Sequence, residues 1–156
     1  MSAGIVIDRV SLLADVPASL TLEACEAQLR THGLTLGLEA ADTSLTVGAW
    51  LARGAPGARD PWLDPADHLL AGLEAELHDG RVLTVRPSPR RAVGPDLVAL
   101  VVGAEERFAK VTRAWLRVHP RDVTRPASPL AIARNPALND GETALLAAIA
   151  SALRNP

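Results

Sequence analysis

The stretch "LLAGLEAELHDGRVLTVRP", residues 69–87, decides how the chain is read. Leu69, Ala71, Leu73, Ala75 and Leu77 alternate with Leu70, Gly72, Glu74, Glu76 and His78. A period of two over nine or so residues is the signature of a half-buried strand. Asp79 and Gly80 then form a two-residue turn of the kind hairpins select, because both positions favour positive φ. Residues 81–86 form the return strand.

Working outward, helical and extended patterns alternate around this hairpin. Residues 5–16 are apolar with scattered charge and contain a strand. In "SLTLEACEAQLRTHG" (residues 19–33), Ser19 or Thr21 caps a helix whose Leu22, Cys25 and Leu29 share one face. Gly33 supplies the left-handed exit. "LTLGLE" (34–39) is a short strand, and "TVGAWLARGAPG" (46–57) starts as a short helix or turn and ends in a loop. Residues 54–67 are rich in Pro, Gly and Asp and are irregular. "PDLVAL" (95–100) is a short helix with Pro95 in its first turn. "KVTRAWLRVHP" (110–120) is a strand with Ala114, Leu116 and Val118 on one face and Arg113, Trp115 and Arg117 on the other. Residues 121–139 form a Pro-punctuated connector. A helix over 139–156 follows, with Asn139 as cap, Glu142 three residues on as in a capping box, and a stripe of Leu145, Ile149, Ala152 and Leu153. The class is α+β: an antiparallel or mixed sheet flanked by helices.

A chain of 156 residues makes one ordinary domain. With 48% apolar residues, 22% charged residues and a net charge of −2, no global field draws it to nucleic acid or membrane. No run of about 18 uncharged apolar residues occurs. The first residues carry Asp8 and Arg9 inside their apolar part, so no signal peptide is expected. With one cysteine, Cys25, there is no internal disulfide. The expected location is the cytoplasm.

Chemistry-bearing clusters are sparse. His32, His68, His78 and His119 have no metal-ligand spacing. His68 lies near Asp64 and Asp67, which reads as a solvated acidic loop, since a metal site needs converging ligands and a second shell. Cys25 sits on an apolar helical stripe with no cation spaced to activate it. Ser88 is a loop serine, and Arg86, Arg90 and Arg91 are a solvated basic loop. No catalytic residue and no metal ligand emerges. Two glycine-bearing turns remain, "TVGAW" (46–50) and "VGAEERFAKVT" (102–112), with the hairpin between them.

Four segments in order resemble the second lobe of the FAD-binding domain of the vanillyl-alcohol oxidase and p-cresol methylhydroxylase (PCMH-type) superfamily. That superfamily includes glycolate oxidase-like and alkyl-dihydroxyacetone-phosphate synthase-like enzymes. "ADVPASLTLEACEAQLRTHGLTL" is similar to its strand, helix and Gly-Leu-x-Leu segment. "TVGAWLA" resembles its Thr-Val-Gly-Gly turn, and "DHLLAGLEAELHDGRVL" its hairpin. "VGPDLVALVVGAEERFAKVTRAWLRVHP" resembles the stretch around Gly-Ser-Glu-Gly-x-x-Gly-x-Ile-Thr. The resemblance implies a half-domain over residues 1–120, followed by a connector and C-terminal helix over 121–156. It implies FAD as cofactor. Thr46, Val47 and Gly48 would lie near flavin and pyrophosphate, Gly103, Ala104 and Glu105 would open the second cofactor loop, and Val111 and Thr112 would close it.

The departures set the functional expectation. The Gly-rich first lobe has no counterpart before Val10, and the large substrate domain is replaced by a short tail. Ala49 stands for the second glycine of the first turn, and Glu106 and Ala109 for two glycines of the second. The expected Tyr-Gly pair near Leu63 and Asp64 is missing. Glycine lets backbone N–H groups approach a phosphate. A carboxylate about 4 Å from a phosphate at an effective dielectric of about 20 costs roughly 4 kcal/mol, near three decades of affinity; Arg107, turned inward, would offset part of it. The isolated chain is therefore expected to hold FAD weakly or not at all. It reads as a non-catalytic accessory or interaction module, covered by a partner protein or by self-association, with Trp50 and Trp62 as anchors. The alternative is an FAD-binding subunit of a split oxidoreductase completed by a partner chain. A remnant with no present ligand is a third reading.

Overall fold

The computed structural model describes residues 4–38, 41–58, 69–87, 97–123 and 140–154. Trp62, the His68–Asp64–Asp67 group, Ser88, Arg90, Arg91, Pro95, Asn139 and residues 124–139 lie outside the described residues.

The apolar start makes two strands, β1 (Val6–Asp8) and β2 (Leu13–Pro17). Asp8 accepts from the N–H groups of Val10 and Ser11 to shape the turn between them. Helix α1 (Leu22–Thr31) begins where the Thr21 hydroxyl accepts from Ala24 N at 3.2 Å, and Leu22, Cys25 and Leu29 are buried as their spacing predicts. Gly33, at φ +74°, ends it. Glu26 then reaches across to strand β3 (Leu34–Thr35): its carboxylate accepts from Leu36 N at 2.7 Å and from the Thr35 hydroxyl at 3.1 Å.

Helix α2 (Val47–Ala52) follows, then the hairpin strands β4 (Leu70–Leu77) and β5 (Val82–Val85). A 3₁₀ turn, Leu97–Leu100, stands where a short helix was expected. Strand β6 (Ala109–Arg117), the short β7 (His119–Pro120) and helix α3 (Asp140–Arg154) complete the chain. Five strands form one antiparallel sheet in the order β1-β2-β6-β4-β5, and β3 pairs antiparallel with β7. The bidentate pair from Arg113 to Asp15, at 2.6 and 2.9 Å, clips β6 to β2. The core contains Leu22, Cys25 and Leu29 of α1, Val47, Trp50 and Leu51 of α2, and Ala14, Val16, Leu73, Ala75, Ala114 and Leu116 of the sheet. Burial pushes the Cys25 thiol up to about 12, with Glu26 adding to the effect, so it behaves as a small hydrophobe.

Three expectations need correction. First, β4 is not half-buried along its length: Leu70, Ala71, Gly72 and Leu73 are all buried, and alternation begins only at Glu74. A register shift between Leu70 and Gly72 breaks the alternation, and the chain at the end of β5 lies close against Gly72. A Cβ there would stand 2.6 Å from Val85 O and 2.7 Å from Pro87 N. Second, the hairpin turn is longer. Gly80 is left-handed at φ +83°, but Asp79 is not among the left-handed residues. Gly80 N donates to Leu77 O and Leu77 N donates to Arg81 O, while the Asp79 carboxylate takes the N–H of Arg81. One positive-φ position suffices in this longer loop. Third, α3 does not bury the expected stripe. Ala150 is its buried residue, Leu146, Ile149 and Leu153 are half-buried, and Leu145 is 61% exposed. Among the described residues, no helix is long and apolar enough to cross a membrane.

Gly72→Ala is expected to destabilise the fold by at least about 1–3 kcal/mol, because a methyl group would meet backbone that cannot rotate away. Urea unfolding of both proteins measures it. Hydrogen bonds from the Ser11 and Ser44 hydroxyls, and from the Arg81 N–H, hold Asp8, Asp42 and Asp79 below the ordinary carboxylate range. The unfolded chain then binds protons first, so their stabilisation is present above about pH 4 and fades as pH falls through the lower folded values. Asp79→Asn is expected to flatten the acid limb of a plot of unfolding midpoint against pH.

Candidate functional site

Thr46 ends an extended segment at ψ 153°, and its hydroxyl caps α2 by accepting from Ala49 N at 3.2 Å. The next donors also find partners at once. Val47 N donates to Leu20 O at 2.8 Å, Gly48 N to Ala18 O at 2.9 Å, and Trp50 N to Thr46 O at 2.8 Å. The β2–α1 loop therefore lies against the start of α2. The same loop touches β6, for Ala18 N donates to Thr112 O at 3.0 Å. A Cβ on Gly48 would stand 3.2 Å from Ala18 Cβ and 3.5 Å from Val111 O. Thr46, Val47, Gly48, Val111 and Thr112 thus gather at one end of α2.

The other end of α2 holds the second turn. Gly103 N donates to Leu51 O at 3.0 Å and Glu105 N to Ala52 O at 2.9 Å, so the helix's last carbonyls are satisfied by this loop. Two left-handed segments meet here: Gly54 and Ala55, at φ +84° and +53°, face the loop containing Gly103 at +78°. A Cβ on Gly103 would lie 3.5 Å from Gly54 Cα. Glu105 and Glu106 are exposed and are themselves left-handed, at φ +50° and +58°. His78, on the hairpin turn, pins the far end, with Nε2 2.8 Å from Arg107 O; the carbonyl can only accept, so this nitrogen carries the proton.

All eight residues that the resemblance singles out therefore surround one six-residue helix, in two groups about 9 Å apart. Reading the sequence missed the participants that act through the backbone: the carbonyls of Ala18 and Leu20 and the turn at Gly54 and Ala55. Gly54 carried the signal for that turn; a carbonyl leaves none. Trp50 is corrected from exposed anchor to core residue. It is fully buried, and its indole N–H donates to Pro56 O at 2.9 Å. Among the described residues, no group of three His, Cys, Asp or Glu side chains is placed to hold a metal ion.

A family model described as "FAD binding domain" matches residues 1–86. A D-lactate dehydrogenase of Archaeoglobus fulgidus is 31% identical over 126 residues, 79% of this chain and 28% of that protein. An uncharacterized FAD-linked oxidoreductase of Escherichia coli K12 is 29% identical over 113 residues, 72% of this chain and 23% of that one. The chain thus spans about a quarter of the length of these relatives. A solved alkyldihydroxyacetonephosphate synthase shares the fold at TM-score 0.62 and 21% identity, over 76% of this chain and 21% of that one.

Glu106→Gly is expected to raise stability by up to about 1 kcal/mol, because a left-handed backbone costs an L side chain roughly that much. Glu106→Val is expected to lower it. Urea midpoints of the three proteins decide the matter, and a loss of stability in the glycine variant contradicts the expectation.

Proposed function

The chain belongs to the FAD-binding domain family of the PCMH-type superfamily, and from that premise we propose that it is a degenerate member. On this reading it does not catalyse by itself and serves in the cytoplasm as an accessory or protein-interaction module, with FAD held weakly or not at all. The observation that carries this is Glu106, exposed on a left-handed residue of the second turn where the resembled motif has glycine. Left-handed positions suit glycine, which would leave backbone open to a ligand. Here Glu106 adds a carboxylate where the resembled motif has glycine, while Glu105 matches the motif's own glutamate. A dianionic pyrophosphate approaching Glu106 meets like charge.

One observation favours a second reading. The eight residues still converge on α2, as a working cofactor wall would require. On that reading the chain is an FAD-binding subunit of a split oxidoreductase, and a partner chain completes the site.

Purification of the chain alone, followed by its visible spectrum, tests the first reading. No flavin band is expected, and added FAD is expected to leave the melting temperature unchanged. A stoichiometric yellow cofactor on the isolated chain would overturn it. Flavin appearing only in a co-purified complex selects the second reading instead.

A further inference from the structure

Building on the degenerate-domain reading, we infer that the turn at Thr46, Val47 and Gly48 is a packing joint in this chain and not a seat for a pyrophosphate. A backbone phosphate seat is a set of N–H groups aimed at open space. At the start of a helix these are the first donors, which have no partner within the helix. In α2 they are spent: Val47 N on Leu20 O, Gly48 N on Ala18 O, and Ala49 N on the Thr46 hydroxyl, at 2.8, 2.9 and 3.2 Å. The next donor, Trp50 N, is held by Thr46 O.

Glycine can be required for positive φ, for the approach of a ligand to bare backbone, or for close packing of the chain on itself. Gly48 is not among the positive-φ glycines. The space its side chain would fill is closed by Ala18 Cβ at 3.2 Å, Ala18 O at 3.3 Å and Val111 O at 3.5 Å. The third use is the one the geometry supports. The joint brings the β2–α1 loop, α2 and β6 together at a single point. It turns a motif that resembles a cofactor turn into a contact that the fold requires.

The test uses the full chain labelled with ¹⁵N. Backbone amide signals of Val47, Gly48, Ala49 and Trp50 are followed during titration with FAD, ADP and inorganic pyrophosphate, up to about 1 mM. These signals are expected not to shift, and the amides to exchange slowly with solvent before any ligand is added. Gly48→Ala is expected to lower the folding equilibrium constant at least about tenfold, by the same factor with and without FAD. Saturable shifts confined to these amides with pyrophosphate or ADP overturn the inference, as does a Gly48→Ala variant as stable as the parent. Should that variant not fold, the titration of the parent protein still decides. Flavin bound elsewhere on the chain, with these four amides unmoved, sinks the functional reading and leaves the joint standing. Pyrophosphate shifts without flavin binding sink the joint alone.

Discussion

Strand β6 has to satisfy neighbours on both sides at once, and the rest of the fold follows from how it does so. It pairs antiparallel with β2 from Leu13 to Pro17 and with β4 from Leu70 to Leu77. The ladder to β2 runs in continuous register, and the ladder to β4 does not. Glu74 lies opposite Arg113 and Ala75 opposite Val111, so Thr112 is an extra residue, and its hydroxyl donates to Glu74 O at 3.2 Å. This bulge shifts the phase of the strand: Ala109 and Val111 point into the core before it, and Ala114 and Leu116 after it. A one-residue change of phase without a bulge would turn half of these side chains to the wrong face.

The bulge also explains why the candidate site lies where it does. Thr112 presents its carbonyl to Ala18, and Val111 presents its own toward Gly48. Helix α2 is thereby held against the strand at its first turn, while its last carbonyls hold the loop that leads into the same strand. A six-residue helix is too short to be stable alone. Its donors and acceptors at both ends are paired with neighbouring loops, and Trp50 fills the space beneath it. The residues with a chemical resemblance to cofactor loops are thus also the residues that assemble the tertiary structure.

Much of the architecture was legible in the chain. Thr21, offered beside Ser19 as the cap, and the spacing of Leu22, Cys25 and Leu29 announced α1, and Gly33 its end. The hairpin and β6 showed in their alternation, and the superfamily showed in four motifs in order. What was misread has a common cause. The burial of β4 on both faces, the approach of the end of β5 to Gly72 and the core position of Trp50 depend on segments distant in sequence. Periodicity reports a residue's own strand or helix and says nothing of what arrives later to cover it.

From the residues alone came the α+β class, the cap of the first helix, and the two turns that carry the family resemblance. These are local matters, set by side-chain chemistry within a few positions. The tertiary structure alone decided that the two turns sit at opposite ends of one helix, that Gly48 is closed by Ala18 and Val111, and that Glu105 and Glu106 take the left-handed form. Each of these depends on where a carbonyl or a backbone bend from another segment lies, and main-chain atoms are the same in every residue, so no letter of the sequence records them.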